Sequence, residues 1–199
     1  MEAGTAMRPA GEALARFGCA ISHQPEVRGR LLTGESKRLD VRSFVMSYDL
    51  IFVPRGDDQS WEDALEAAAE ADSDECPRAE AWNGIVAAAR QVLGEVSVFE
   101  GADNYELTHE PTGVQVSYYA DEVSVTVPYW YRGGDARAVV AAVHRLGAVV
   151  EAVTGLSGYD PQVELPLAEA AARPELAVAA FDEVAESFAR RGISSPSNG

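Results

Sequence analysis

The sequence predicts an α+β fold, a two-layer sandwich in which a mainly antiparallel β-meander sheet carries helices packed on one face. Three observations predict it. Four short apolar runs between Glu95 and Tyr131 follow one another with only two or three turn residues between them, the spacing of hairpins. Amphipathic stretches with a 3.6-residue period stand before and after that block. The resulting order is strand, two helices, four strands, helix, short strand, helix, which segregates helices from strands instead of alternating them.

"SYDLIFVP", following Met46, is apolar and β-branched and reads as a first strand, stopped by Pro54 and the turn-rich "RGDDQ". Ser60, with Asp63 three residues on, makes a capping-box-like start for the acidic helix "WEDALEAAAEA". After Pro77, Trp82, Ile85, Val86, Ala89, Val92 and Leu93 share one helical face that ends at Gly94. "EVSVFE", "NYELTHE", "GVQVSYYA" and "EVSVTVPYWY" form the meander, and in the last of them Val123, Val125, Val127, Tyr129 and Tyr131 alternate with Glu122, Ser124, Thr126 and Trp130. Asp135 is the expected cap of the longest helix, whose stripe of Val139, Val143, Leu146, Val150 and Val153 is widened by Val140 and Val149 and runs to Gly155. "GYDPQVELP" reads as a turn with a short extended piece. "PELAVAAFDEVAESFARRG" reads as a last helix with Phe181, Val184 and Phe188 inward and Arg190 and Arg191 at its C-terminal end, where the helix dipole favours cations.

At 199 residues and 47% hydrophobic content, the chain suits one core. Its charge is uneven. Residues 1–45 hold seven basic and five acidic residues, a net of +2, which leaves nine basic and 27 acidic residues, a net of −18, for the remainder. Residues 1–45 show no sustained period and are expected to be a poorly ordered extension, with Met46 a natural start for the domain 46–192; 193–199 are expected to be a disordered tail. A formal net charge of −16 disfavours nucleic acid and anionic membrane surfaces and favours a basic protein partner. Cys19 and Cys76 have neither metal nor redox spacing and suggest no disulfide framework. With no apolar run of membrane-spanning length and no signal-peptide pattern, a cytoplasmic setting is expected. The sequence carries no sign of oligomeric state.

"TVPYWYRGGD" supplies the first candidate site. Tyr129, Trp130, Tyr131 and Arg132 are residue types that anchor interfaces, Trp130 falls on the polar side of its strand, and Arg132 is able to stack on a neighbouring ring. The competing reading is that the tyrosines extend the core. In "YDPQ", Asp160 before a proline is placed to accept from nearby backbone N–H groups, and Gln162 to pin a neighbouring strand. Glu62 and Glu66 lie on the acidic helix, a solvated face or an electrostatic docking surface. His109 and Glu110 are adjacent on a strand and so point to opposite faces, which argues against an acid–base pair there. His144 is read as a partly exposed helical histidine. No phosphate-binding loop, nucleophile elbow or zinc signature is present, so no catalytic residue, metal ligand or cofactor is assigned.

From Met46 onward, "MSYDLIFVP", "GVQVSYYADEVSVTVPYW" and "GYDPQVEL" resemble small bacterial proteins related to the immunity proteins of polymorphic-toxin systems. That resemblance implies a small acidic cytoplasmic α+β module that inhibits by occluding a partner protein, with no catalytic residues to carry over. The alternative is a small-ligand-binding protein or enzyme with a pocket between the sheet and the long helix, lined by Tyr118, Tyr129, Tyr131 and His109.

Overall fold

A computed structural model describes residues 47–71 and 75–192. The expected extension 1–45, Met46 and the tail 193–199 lie outside the described residues. Among these residues seven strands and five helices form an α+β fold. The elements are β1 (Ser47–Val53), α1 (Trp61–Glu70), α2 (Ala79–Val92), β2 (Ser97–Glu100), β3 (Tyr105–His109), β4 (Val114–Tyr118), β5 (Val123–Pro128), α3 (Gly133–Thr154), β6 (Ser157–Asp160), β7 (Leu165–Pro166), α4 (Leu167–Ala172) and α5 (Pro174–Arg190).

The sheet order is β2-β3-β4-β5-β1-β6-β7, and every pairing is antiparallel. The meander grows outward from β5, while β1 enters between β5 and β6 as a central strand. Its register sets Tyr48 beside Val127, Leu50 beside Val125 and Phe52 beside Val123, all of them buried. β-branched residues on a half-buried pleat explain this face. α3 lies between α2 and α5 in the helical layer over it, and Ile85, Trp82, Leu146, Val143 and Phe181 close the core. Burying each such large side chain contributes about 1.5–3 kcal/mol. α3 approaches the sheet closely at Gly147, where a Cβ would stand 3.0 Å from Leu167 and 3.1 Å from Phe52. Only a residue without a side chain lets the helix sit that low.

α1 begins with the expected capping box: the Asp63 amide donates to Ser60 Oγ at 3.1 Å, and Ser60 Oγ donates to Asp63 Oδ2 at 2.7 Å. Two expectations need correction. Asp135 is not the cap of α3; the helix starts two residues earlier, at Gly133, with Arg132 at the N-cap position. The capping acceptor comes from another element, since the Gly133 amide donates to Asp182 Oδ1 of α5 at 2.9 Å. The other correction concerns Cys76, which is not a free thiol. Where one short extended piece is expected in "GYDPQVELP", the chain forms two strands, β6 and β7, and Pro166 ends the second and starts the additional helix α4, a turn and a half long.

Candidate functional site

Two places in this fold concentrate polar or aromatic groups: a knot of titratable side chains inside the core, and the outer face of the meander.

Tyr48, His144 and Asp160 form the knot, all within the core. β1 supplies the tyrosine, α3 the histidine, and the end of β6 the aspartate. The Tyr48 hydroxyl donates to Asp160 Oδ2, and His144 Nε2 lies 3.1 Å from the Tyr48 oxygen, so that with its proton on Nε2 the imidazole donates in turn. Asp160 Oδ1 accepts from the amides of Gln162 at 3.0 Å and Val163 at 3.4 Å. Burial pushes the Asp160 carboxyl above the ordinary carboxylate range, and the Tyr48 hydroxyl and the two amides pull it back. Burial likewise raises the Tyr48 phenol, reinforced by Asp160, and lowers the His144 imidazole to about 4. His144 is therefore neutral at pH 7 and buried, correcting the expectation of partial exposure; its position one helical turn from Val140 already places it on the apolar stripe. A histidine, a tyrosine and a carboxylate in contact have the ingredients of proton transfer, but here each is consumed by its neighbours inside the core, and the group acts as a clamp between β1, α3 and the β6–β7 turn.

The turn itself performs what was expected of "YDPQ". Asp160 holds the amides of its own turn, and Gln162 Oε1 accepts from the Asp49 amide at 2.9 Å, pinning β1. Both residues thereby have a structural task.

"TVPYWYRGGD" separates into different environments. Tyr129 is core, its ring centroid 4.8 Å from that of Phe181. Tyr131 is half-buried, and its hydroxyl donates to the Thr112 carbonyl at 2.8 Å. Arg132 does not stack on a ring; its guanidinium donates to the Ala185 carbonyl at 3.0 Å, tying the start of α3 to α5. Trp130 remains as the exposed aromatic, 42% accessible, lying along the β3–β4 turn where Gly113, at φ 67°, brings the backbone close to Pro128 and the indole. The four side chains expected to line a pocket are engaged elsewhere. Tyr118 packs with Trp82 and Tyr105 and its oxygen accepts from the Arg78 amide at 3.3 Å, while His109 Nδ1 meets Thr112 Oγ1 at 2.6 Å.

The face of the sheet away from α2, α3 and α5 is polar. The register aligns Thr108, Gln115, Thr126 and Asp49 in one row, and Phe99, Glu106, Ser117, Ser124, Ile51 and Tyr159 in the next, every one exposed or half-buried. α1 meets a corner of this face. Trp61 stacks on Tyr159 with centroids 4.7 Å apart, and the Arg55 guanidinium sits 4.8 Å above Trp61. Burial of Arg55 Nε without a hydrogen-bond partner follows from that stack. Glu62 and Glu66 point to solvent on the helix so anchored.

Two exposed aromatics escaped the sequence reading: Phe99, 59% accessible, and Tyr119, 48%. The signal was present. In "SVFE" and "SYYA" two large side chains are adjacent, and on a strand one of each pair must point away from the core. From Gln91 to Tyr131 the chain holds seven carboxylates (Glu95, Glu100, Asp103, Glu106, Glu110, Asp121, Glu122) and no lysine or arginine. Among the described residues no set of three or more His, Cys, Asp or Glu side chains could hold a metal ion, and no helix is long and apolar enough to cross a membrane.

The fold and surface thus define a two-layer α+β protein with a polar outer sheet face and exposed aromatics at Phe99, Tyr119 and Trp130. Comparison with family models, curated proteins and solved structures finds no match.

Proposed function

We propose that this chain is a binding protein that grips a basic partner protein through its acidic sheet surface and occludes it, in the manner of an immunity-type inhibitor acting in the cytoplasm. The carrying observation is the meander: seven carboxylates and no lysine or arginine, on a sheet that leaves Phe99, Tyr119 and Trp130 exposed. Exposed aromatics supply the anchoring contact area of an interface, and one-signed charge around them steers and selects an oppositely charged partner. The exposed Glu62, Glu66 and Glu70 of α1 extend the same field. The buried knot supports this reading from the other side, because three strongly perturbed titratable groups among the described residues, Tyr48, His144 and Asp160, serve packing.

The test is co-expression with the toxin domain of a polymorphic toxin encoded in the same genome. Growth restored by this chain and lost on the double substitution Phe99→Asp and Trp130→Asp is the expected result; growth arrest unaffected by the chain overturns the reading. With the pair in hand, the triple change Glu62→Lys, Glu66→Lys, Glu70→Lys slows association at low ionic strength by about tenfold, an effect that fades with added salt.

A further inference from the structure

The two edges of the sheet differ. β7 is two residues long, ends in Pro166 and runs directly into α4, so that edge is closed to further pairing. Among the described residues β2 is open: it ends the sheet order, and all four of its residues are exposed, Val98 at 38% and Phe99 at 59%.

The hydrogen-bond phase of the hairpin shows what the open edge offers. Gly101 N donates to Asn104 O at 2.8 Å, and the register continues as Glu100 with Tyr105, Phe99 with Glu106, Val98 with Leu107 and Ser97 with Thr108. In an antiparallel ladder bonded and non-bonded pairs alternate, so Phe99 and Ser97 exchange their bonds with β3, while Val98 and Glu100 aim their N–H and C=O groups outward. The edge is held in place from behind, since Trp82 Nε1 donates to Glu100 Oε1 at 3.0 Å.

We infer that β2 is a docking edge for strand addition by an extended, basic segment of a partner protein. This rests on the proposed grip on a basic partner and adds how the partner is held. Main-chain bonds to Val98 and Glu100 give the added strand its register, and side chains on alternate faces give it selectivity. Next to Val98 and Glu100, both on the core side, the incoming residues are apolar. On the outer face an arginine reaches Glu106 while lying over the Phe99 ring. A second copy of this chain is a poor occupant, because edge-to-edge pairing would set Glu95, Glu100, Asp103 and Glu106 of one molecule against the same four of another.

The test uses the full chain and three acetylated, amidated octapeptides: alternating valine and arginine, the same peptide N-methylated at alternate amides, and alternating valine and glutamate. Binding is read by fluorescence anisotropy, and its location by amide chemical shifts of Val98 and Glu100. The expected result is saturable binding of the arginine peptide, weakened at least about tenfold by N-methylation, with no binding of the glutamate peptide. Val98→Pro removes an outward N–H without touching the β2–β3 ladder and weakens binding comparably, its fold being checked by circular dichroism. Equal binding of the methylated and unmethylated peptides overturns strand addition while leaving the grip on a basic partner standing. Binding of neither arginine peptide overturns strand addition, and the co-expression result then decides the wider reading. A concentration-dependent dimer that Val98→Pro dissolves overturns it in favour of a second copy.

Discussion

The Tyr48 hydroxyl donates to the Asp160 carboxylate across 112 residues of sequence, and both groups lie in the core. This single oxygen joins the first strand to the turn that follows β6, and through His144 to the long helix. Tyr48→Phe keeps the ring against Phe181 but leaves Asp160 and His144 without their shared partner. A loss of about 2–3 kcal/mol in urea unfolding is expected, and a change within experimental error would show that the knot contributes nothing to stability.

The same knot makes stability depend on acid. The His144 imidazole is lowered by burial to about 4 in the fold, against about 6.5 in an unfolded chain. Its contribution is therefore complete above about pH 6.5 and is lost as pH falls towards 4, a difference of about 3 kcal/mol. Asp160, with a raised pKa, acts in the opposite direction, adding stability on protonation. His144→Gln retains a donor near the Nε2 position and does not titrate. The stability advantage of wild type over this variant should shrink between pH 7 and pH 4; a constant difference would mean that His144 does not titrate across that range.

Gln162 carries the second tie between the β6–β7 turn and β1. Gln162→Ala frees the Asp49 amide, with an expected cost of about 1 kcal/mol and faster hydrogen exchange at Asp49 than at Leu50. Unchanged exchange at Asp49 would assign the pinning to the strand ladder alone.

Tyr129 and Trp130, neighbours in sequence, should respond oppositely. Tyr129→Ala opens the core beside Phe181 and Tyr48 and costs about 3–5 kcal/mol, whereas Trp130→Ala changes thermal stability by under about 1 kcal/mol. Comparable losses for the two would place Trp130 in the core and remove it from any interface.

The α1 capping box, the meander and the apolar stripes of α2 and α5 were legible because each is a local pattern: a side chain three residues from its partner, an alternation of two, a period near 3.6. Spacing alone puts His144 on the widened stripe of α3, one turn from Val140, but its burial also depends on Tyr48 and Asp160, distant residues that satisfy it and that no local pattern announces. The start of α3 failed similarly, since the acceptor for its first amide, Asp182, lies on another helix and no local motif announces it. Of the residues singled out for binding, Trp130, Arg132, Glu62 and Glu66 are exposed, Tyr131 and Gln162 half-buried, and Tyr129 and Asp160 buried within the fold. What separates them is register: the alternation in "VTVPYWY" determines which ring faces inward, and the dense pairing of Phe99 with Glu106 on the outer side follows only from the strand partners.

β1 is the first strand among the described residues, yet its neighbours on either side are β5 and β6. During synthesis its apolar row of Tyr48, Leu50 and Phe52 leaves the ribosome long before Val123–Pro128 and Ser157–Asp160 exist to flank it. Such a nascent chain holds a sticky, unpartnered segment for much of its synthesis, so its yield in a cell should be governed by translation speed and holdase chaperones more than by the equilibrium stability of the finished molecule.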